Sequence, residues 1–156
     1  MSSDVFGYIY PSPIGADYKK LTDYISNLDI GIFRISKEEL YNIPLEMIPE
    51  GDVFAFLIGD RPDYRNATYL IDYCEYDPDS STIGFPSNPK DRLNILLDVI
   101  SDILSIVNPE KMLVAITDSS QIEIIKTIKP SEIHEVIGGD FEIYQEPPDT
   151  LYEIIC

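Results

Sequence analysis

The chain has 156 residues, 44% hydrophobic and 11% aromatic, which is too apolar for a disordered segment and long enough for one domain with a sizeable core. Its 28 Asp and Glu against 11 Lys and Arg give a formal net charge of -17, far outside the roughly 2–8 suited to a small domain; such a charge repels nucleic acid and anionic membranes and attracts basic surfaces. Cys74 and Cys156 are the only cysteines, the first ten residues carry no basic or apolar leader, and the longest apolar stretch, Leu93 to Val107, is short and interrupted by Asp98 and Asp102, so a soluble cytoplasmic protein with free thiols is expected.

Val5 to Tyr10 reads as a first strand, closed by Pro11-Ser12-Pro13. Ala16 to Leu28 reads as a helix, because Leu21, Tyr24, Ile25 and Leu28 fall on one face. Ile30 to Ile35 is a short strand, and Ser36-Lys37-Glu38-Glu39 has the form of a capping box that starts a short helix. The run Val53 to Ile58 is continuously apolar and ends at Gly59-Asp60, which predicts a strand covered on both faces. Thr68 to Glu75 reads as a further strand and Thr82 to Phe85 as an edge strand blocked by Pro86.

Asn88-Pro89 opens the clearest element: an N-cap and a proline at the first helical position, followed by Leu93, Leu96, Leu97, Ile100, Ile103, Leu104 and Val107 at helical spacing. Met112 to Thr117 is an apolar strand. Ser120-Gln121-Ile122-Glu123 resembles a second capping box leading a helix with Ile122, Ile125 and Ile128 on one face. Pro130-Ser131 starts another helical turn or two, Gly138-Gly139 reads as a turn, and Phe141 to Tyr144 and Leu151 to Ile155 read as strands. Strand, long helix and strand in succession suggest a β-α-β crossover. The expected fold is therefore α+β or α/β: one domain over residues 1–156, with helices packed on a mixed β-sheet.

Catalytic chemistry finds little support. His134 is the sole histidine, and Cys74 and Cys156 lack the spacing of a zinc site. Asp118-Ser119-Ser120 lacks the Gly-x-Ser-x-Gly frame of a nucleophile elbow, and Gly138-Gly139-Asp140 is no phosphate loop. Asp77 and Asp79 could open a calcium loop, but Thr82 stands where an EF-hand needs Gly, and Asn88 where it needs Glu. No metal, no cofactor and no enzymatic activity are expected.

What stands out is carboxylates interleaved with tyrosines. Asp60, Asp63, Asp72, Glu75, Asp77 and Asp79 lie in one stretch with Tyr64, Tyr69, Tyr73 and Tyr76, against Arg61 and Arg65 alone. Tyrosine anchors interfaces and neighbouring carboxylates steer and pair with basic groups, so Asp60, Asp63, Asp72, Tyr73, Glu75, Tyr76, Asp77 and Asp79 are the candidate partner-binding residues. The second choice is the acidic run after Lys129: Glu132, Glu135, Asp140, Glu142, Glu146, Asp149 and Glu153.

In size, charge and the acidic, tyrosine-bearing stretch Asp60–Asp79, the chain resembles the small acidic immunity proteins of bacterial toxin systems. The resemblance implies a cytoplasmic protein that binds and blocks a cognate toxin, often a basic nuclease, and it transfers no individual residue. Two other readings stay open: a nucleic-acid mimic aimed at a DNA-binding protein, and a small-ligand domain or carboxylate-based enzyme using pairs such as Asp60 with Asp63 or Asp72 with Asp118.

Overall fold

A computed structural model describes residues 4–40, 42–63, 88–117, 121–143 and 148–156. Six strands form one mixed sheet: β1 (Asp4–Tyr10), β2 (Gly31–Ile35), β3 (Phe54–Gly59), β4 (Lys111–Thr117), β5 (Ile124–Ile128) and β6 (Thr150–Ile155), in the order β2-β3-β1-β4-β6-β5. Every neighbouring pair is antiparallel except β5 with β6. Helix α1 (Gly15–Ser26) joins β1 to β2, and helix α2 (Pro89–Val107) lies between β3 and β4. Because β3 and β4 flank β1 and both run against it, they point the same way, as the expected crossover requires. Among the described residues the first four strands and two helices thus follow the β-α-β-β-α-β order of split β-α-β folds, with β6 and β5 added beyond β4. This is an α+β fold.

Strand alternation divides the core into two layers. Val5 and Ile9, Phe54, Phe56 and Ile58, and Met112, Val114 and Ile116 face the helices, where they meet Leu21 of α1 and Leu93, Leu96, Leu97, Ile100, Ile103 and Leu104 of α2. On the opposite face Phe6, Tyr8, Ala55, Leu113, Ala115 and Leu151 are covered by Leu40, Ile43, Met47 and Ile48 from the β2–β3 connection. The Tyr8 hydroxyl donates a hydrogen bond to the Met47 carbonyl and fixes that connection to the sheet. Burial of β3 on both faces explains why its sequence is a continuous apolar run.

Local chemistry sets the ends of the elements. Asn88 Oδ1 accepts from the backbone N–H of Lys90 at 2.8 Å and of Asp91 at 3.4 Å, and Asn108 closes α2 in the left-handed region at φ 50°. Ser36 and Glu39 form their reciprocal cap, but around a single 3-10 turn, Lys37–Glu39.

Two expected elements differ. The helix expected after Ser120 is strand β5, since Ile124, Ile125, Thr127 and Ile128 are β-branched and pair in parallel with β6. The strand expected at Phe141 is helical: a 3-10 turn (Pro130–Glu132) and a π-helical turn (Ile133–Ile137) run into helix α3 (Gly138–Ile143). Ile133, Ile137 and Phe141 are spaced four apart and all buried in the helix-side core, which outweighs the turn tendency of Gly138-Gly139. The strands expected at Thr68–Glu75 and Thr82–Phe85 lie outside the described residues.

A β-carbon at Gly138 or Gly139 would meet nothing within 4 Å. Gly138→Ala and Gly139→Ala should therefore each stabilise the protein by about 0.5–1 kcal/mol, by removing the entropy that glycine loses in a helix. Urea denaturation of the double variant tests this; a lower midpoint would mean that the chain is not helical here.

Candidate partner-binding surface

The exposed side of the helix layer carries more carboxylates than lysines, although Lys19, Lys20 and Lys90 are exposed among them. On α2 the buried apolar stripe leaves Asp91, Asp98 and Asp102 exposed, as the 3.6-residue period dictates. Asp17 and Asp23 are exposed on α1, Asp29 just after it, and Glu135 in the π-helical turn. Two of these carboxylates also tie elements together. Asp102 Oδ2 accepts from the Tyr24 hydroxyl of α1 at 2.8 Å, and Asp98 Oδ1 lies 2.8 Å from His134 Nε2. Desolvation, then the Asp102 hydrogen bond and the charges of Asp102 and Asp98, push the Tyr24 phenol well above the usual tyrosine range. Lys19 offsets Asp23 at 4.0 Å across one turn, an exposed pair of little energetic weight.

A second acidic locus lies at the sheet end where β3 and β4 finish and β1, β5 and β6 begin. Asp60, directly after β3, is 0% exposed; Arg92, in the first turns of α2, is 1% exposed and Asp149, just before β6, 6%. Each of the three has an interaction partner, as buried charge demands, because an unpaired one costs several kcal/mol. Asp60 is thus enclosed in the fold, whereas Asp63 is exposed and open to a partner. Asp72, Tyr73, Glu75, Tyr76, Asp77 and Asp79 lie outside the described residues, as does Cys74.

The acidic run after Lys129 divides in two. Glu135 is exposed and Glu132 half-buried, with one Glu132 carboxylate oxygen capping the Lys129 N–H at 2.9 Å. Asp140 is structural. Its Oδ1 lies 2.7 Å and its Oδ2 2.9 Å from Lys126 Nζ, and the buried Tyr152 hydroxyl donates to Oδ2 at 2.7 Å. Lys126 reaches Asp140 only because residues 124–128 form a strand beside β6, so the helix expected there hid this contact. Glu153, half-buried, accepts from the Thr127 hydroxyl at 3.2 Å, and Glu146 lies outside the described residues.

Among the described residues no three His, Cys, Asp or Glu side chains gather as metal ligands would, and no helix is long and apolar enough to cross a membrane. Cys156 is an exposed free thiol whose acidity burial weakens. Comparisons with protein-family models, with curated proteins and with solved structures find no match.

Proposed function

We propose that this protein binds and blocks a basic partner protein, as an immunity protein neutralises its cognate toxin. The observation that carries the reading is the net charge of -17 together with the exposed carboxylates Asp91, Asp98, Asp102 and Glu135 on one helical layer. A carboxylate field of this kind steers a cationic surface and brings association toward about 10⁸ M⁻¹s⁻¹ at low salt. The acidic, tyrosine-bearing stretch Asp60–Asp79 is the first choice for the contact, through Asp63, Asp72, Glu75, Asp77 and Asp79, with Tyr73 and Tyr76 as anchors. The second choice is the acidic run after Lys129, through the exposed Glu135, extended by the helix-layer carboxylates Asp91, Asp98 and Asp102. The same reading makes the protein a cytoplasmic binder with reduced thiols and no chemistry of its own, whose partner is a cationic protein such as a nuclease.

The test starts from a partner recovered from the native host, whose own activity is then measured with and without this protein. Two variants separate the surfaces: Asp72, Glu75, Asp77 and Asp79 neutralised together to Asn or Gln, and Asp91, Asp98 and Asp102 neutralised together to Asn. The variant that carries the contact should lower the association rate about tenfold or more at low salt and flatten the salt dependence, since rim charges act on encounter. A partner of acidic charge, or binding that is equally tight at about 50 and 300 mM salt, would remove the electrostatic basis of the proposal. Cys74→Ser and His134→Ala should leave inhibition intact, alone and together; loss of inhibition with the fold preserved would point to chemistry at one of them.

A further inference from the structure

Arg34 is held unusually for a cation in so acidic a chain. It projects from β2 with its guanidinium carbon 5.1 Å from the centre of the Phe54 ring and 5.8 Å from that of Tyr18, while those two rings meet edge to face at 6.5 Å. Its only polar contact among the described residues is a long one, Nη1 to the Tyr18 hydroxyl at 3.4 Å. Among the described residues it makes no ion pair, although the chain holds 28 carboxylates. Contact with two rings holds the guanidinium in place, and among the described residues its remaining N–H groups have no acceptor, which leaves them able to receive a carboxylate or phosphate.

Arg34 lines a cleft of ≈ 710 Å³ at the end of the sheet where β1 finishes. Tyr10, Tyr18, Pro13, Ile14 and Val53 give the cleft an apolar lining, and Ile14 is 82% exposed. The volume lies within the roughly 300–1,000 Å³ of small-molecule sites, which pair apolar walls with a few placed polar groups. Among the described residues, Asp52 is the one carboxylate in the lining and Arg34 the one cation. Arg34 can neutralise one negative charge and Asp52 repels a second, so a monoanion suits the cleft better than a dianionic phosphate.

We infer that this cleft binds a small monocarboxylic acid with an apolar or aromatic body, its carboxylate on Arg34 and its body against Tyr10, Tyr18 and Ile14. The site is distinct from the acidic surface of the proposed function and does not rest on it.

The test is a titration of the full ¹⁵N-labelled chain with 3-phenylpropanoate, followed by backbone amide shifts. Saturable shifts are expected at Tyr18, Arg34, Gly51 and Val53. The uncharged isostere 3-phenylpropanamide should bind at least about tenfold more weakly, the discrimination given by one charged hydrogen-bonded pair. Arg34→Gln should abolish saturation, and Arg34→Lys should restore only part of it, because lysine lacks the planar fork. Tyr18→Ala, which leaves the charge in place, should weaken binding as well and serves if the Arg34 variants fold poorly. Shifts centred elsewhere, equal binding of the amide, or unchanged binding to Arg34→Gln would overturn the inference. Tighter binding of phenyl phosphate would overturn the carboxylate assignment, and tighter binding of a Phe-Glu peptide amide would overturn the assignment to a small molecule.

Discussion

Gly7→Ala is expected to destabilise the protein by several kcal/mol, more than the roughly 1–3 kcal/mol typical of an overpacked core site. Gly7 sits in the middle of β1, the strand that pairs on both sides, opposite Phe56 of β3 and Val114 of β4. A β-carbon placed there would fall 1.8 Å from the Leu113 carbonyl oxygen and 2.7 Å from its carbon. Both obstacles are backbone of a fully buried residue, so no side chain can rotate away; β1 and β4 would have to separate and lose ladder hydrogen bonds. Stabilities of small domains are roughly 5–15 kcal/mol, so the variant should melt far below the parent or fail to fold. The open positions Gly138 and Gly139 provide the internal contrast, since there the same substitution should stabilise. A Gly7→Ala protein with the parent's denaturation midpoint would mean that β1 does not pair with β4 in this register.

The sequence made visible those elements whose signal is local. Helix α2 follows from Asn88, Pro89 and an uninterrupted apolar period, and β1, β3, β4 and β6 from apolar, β-branched runs bounded by turn residues. Residues 120–128 carried two conflicting local signals, a Ser-x-x-Glu pattern with isoleucines three apart and a β-branched run; pairing with β6 decided for the strand. At Gly138-Gly139 the pair masked the stripe Ile133, Ile137 and Phe141, which is legible only when a helix is assumed to run through glycine. Among the candidate binding residues, Asp60 read as a steering group because charge runs are usually solvated, yet its side chain is enclosed at the end of β3. Asp140 read the same way and pairs with Lys126, a partner 14 residues earlier that only the β5–β6 pairing brings near. The Arg34 cleft had no sequence signature at all, since it is assembled from residues 10–15, 18, 34 and 51–53, and no local spacing links them.

A second large effect is expected at alkaline pH. Tyr8 and Tyr152 are 0% and 1% exposed, and burial, the largest cause for each, holds both phenols well above the usual range. For Tyr8 the further causes are the charges of Glu153 and Tyr10; for Tyr152 they are the hydrogen bond to Asp140 and its charge. An unfolded tyrosine ionises near pH 10, whereas these two stay protonated in the fold to higher pH. Above pH 10 the unfolded state therefore gains from losing protons while the folded state does not. Stability contributed by each phenol is fully present below pH 10 and falls by up to about 1.4 kcal/mol per pH unit above it. Between pH 9 and 11 the two together should remove about 3 kcal/mol, a large fraction of a small domain's stability. Tyr152→Phe isolates the Asp140 site: it leaves the Lys126–Asp140 pair in place, removes one titrating phenol and should cut the alkaline slope by about a third to a half, since the partly exposed Tyr24 adds a smaller share of its own, while lowering stability at pH 7 by about 1.5–3 kcal/mol for the lost hydrogen bond to a charged group. Urea denaturation at pH 7, 9, 10 and 11 reads both quantities. A Tyr152→Phe protein whose stability falls as steeply as the parent's above pH 10 would show that this phenol is not protected from ionisation, and would remove the buried Tyr152–Asp140 contact from the description of the fold.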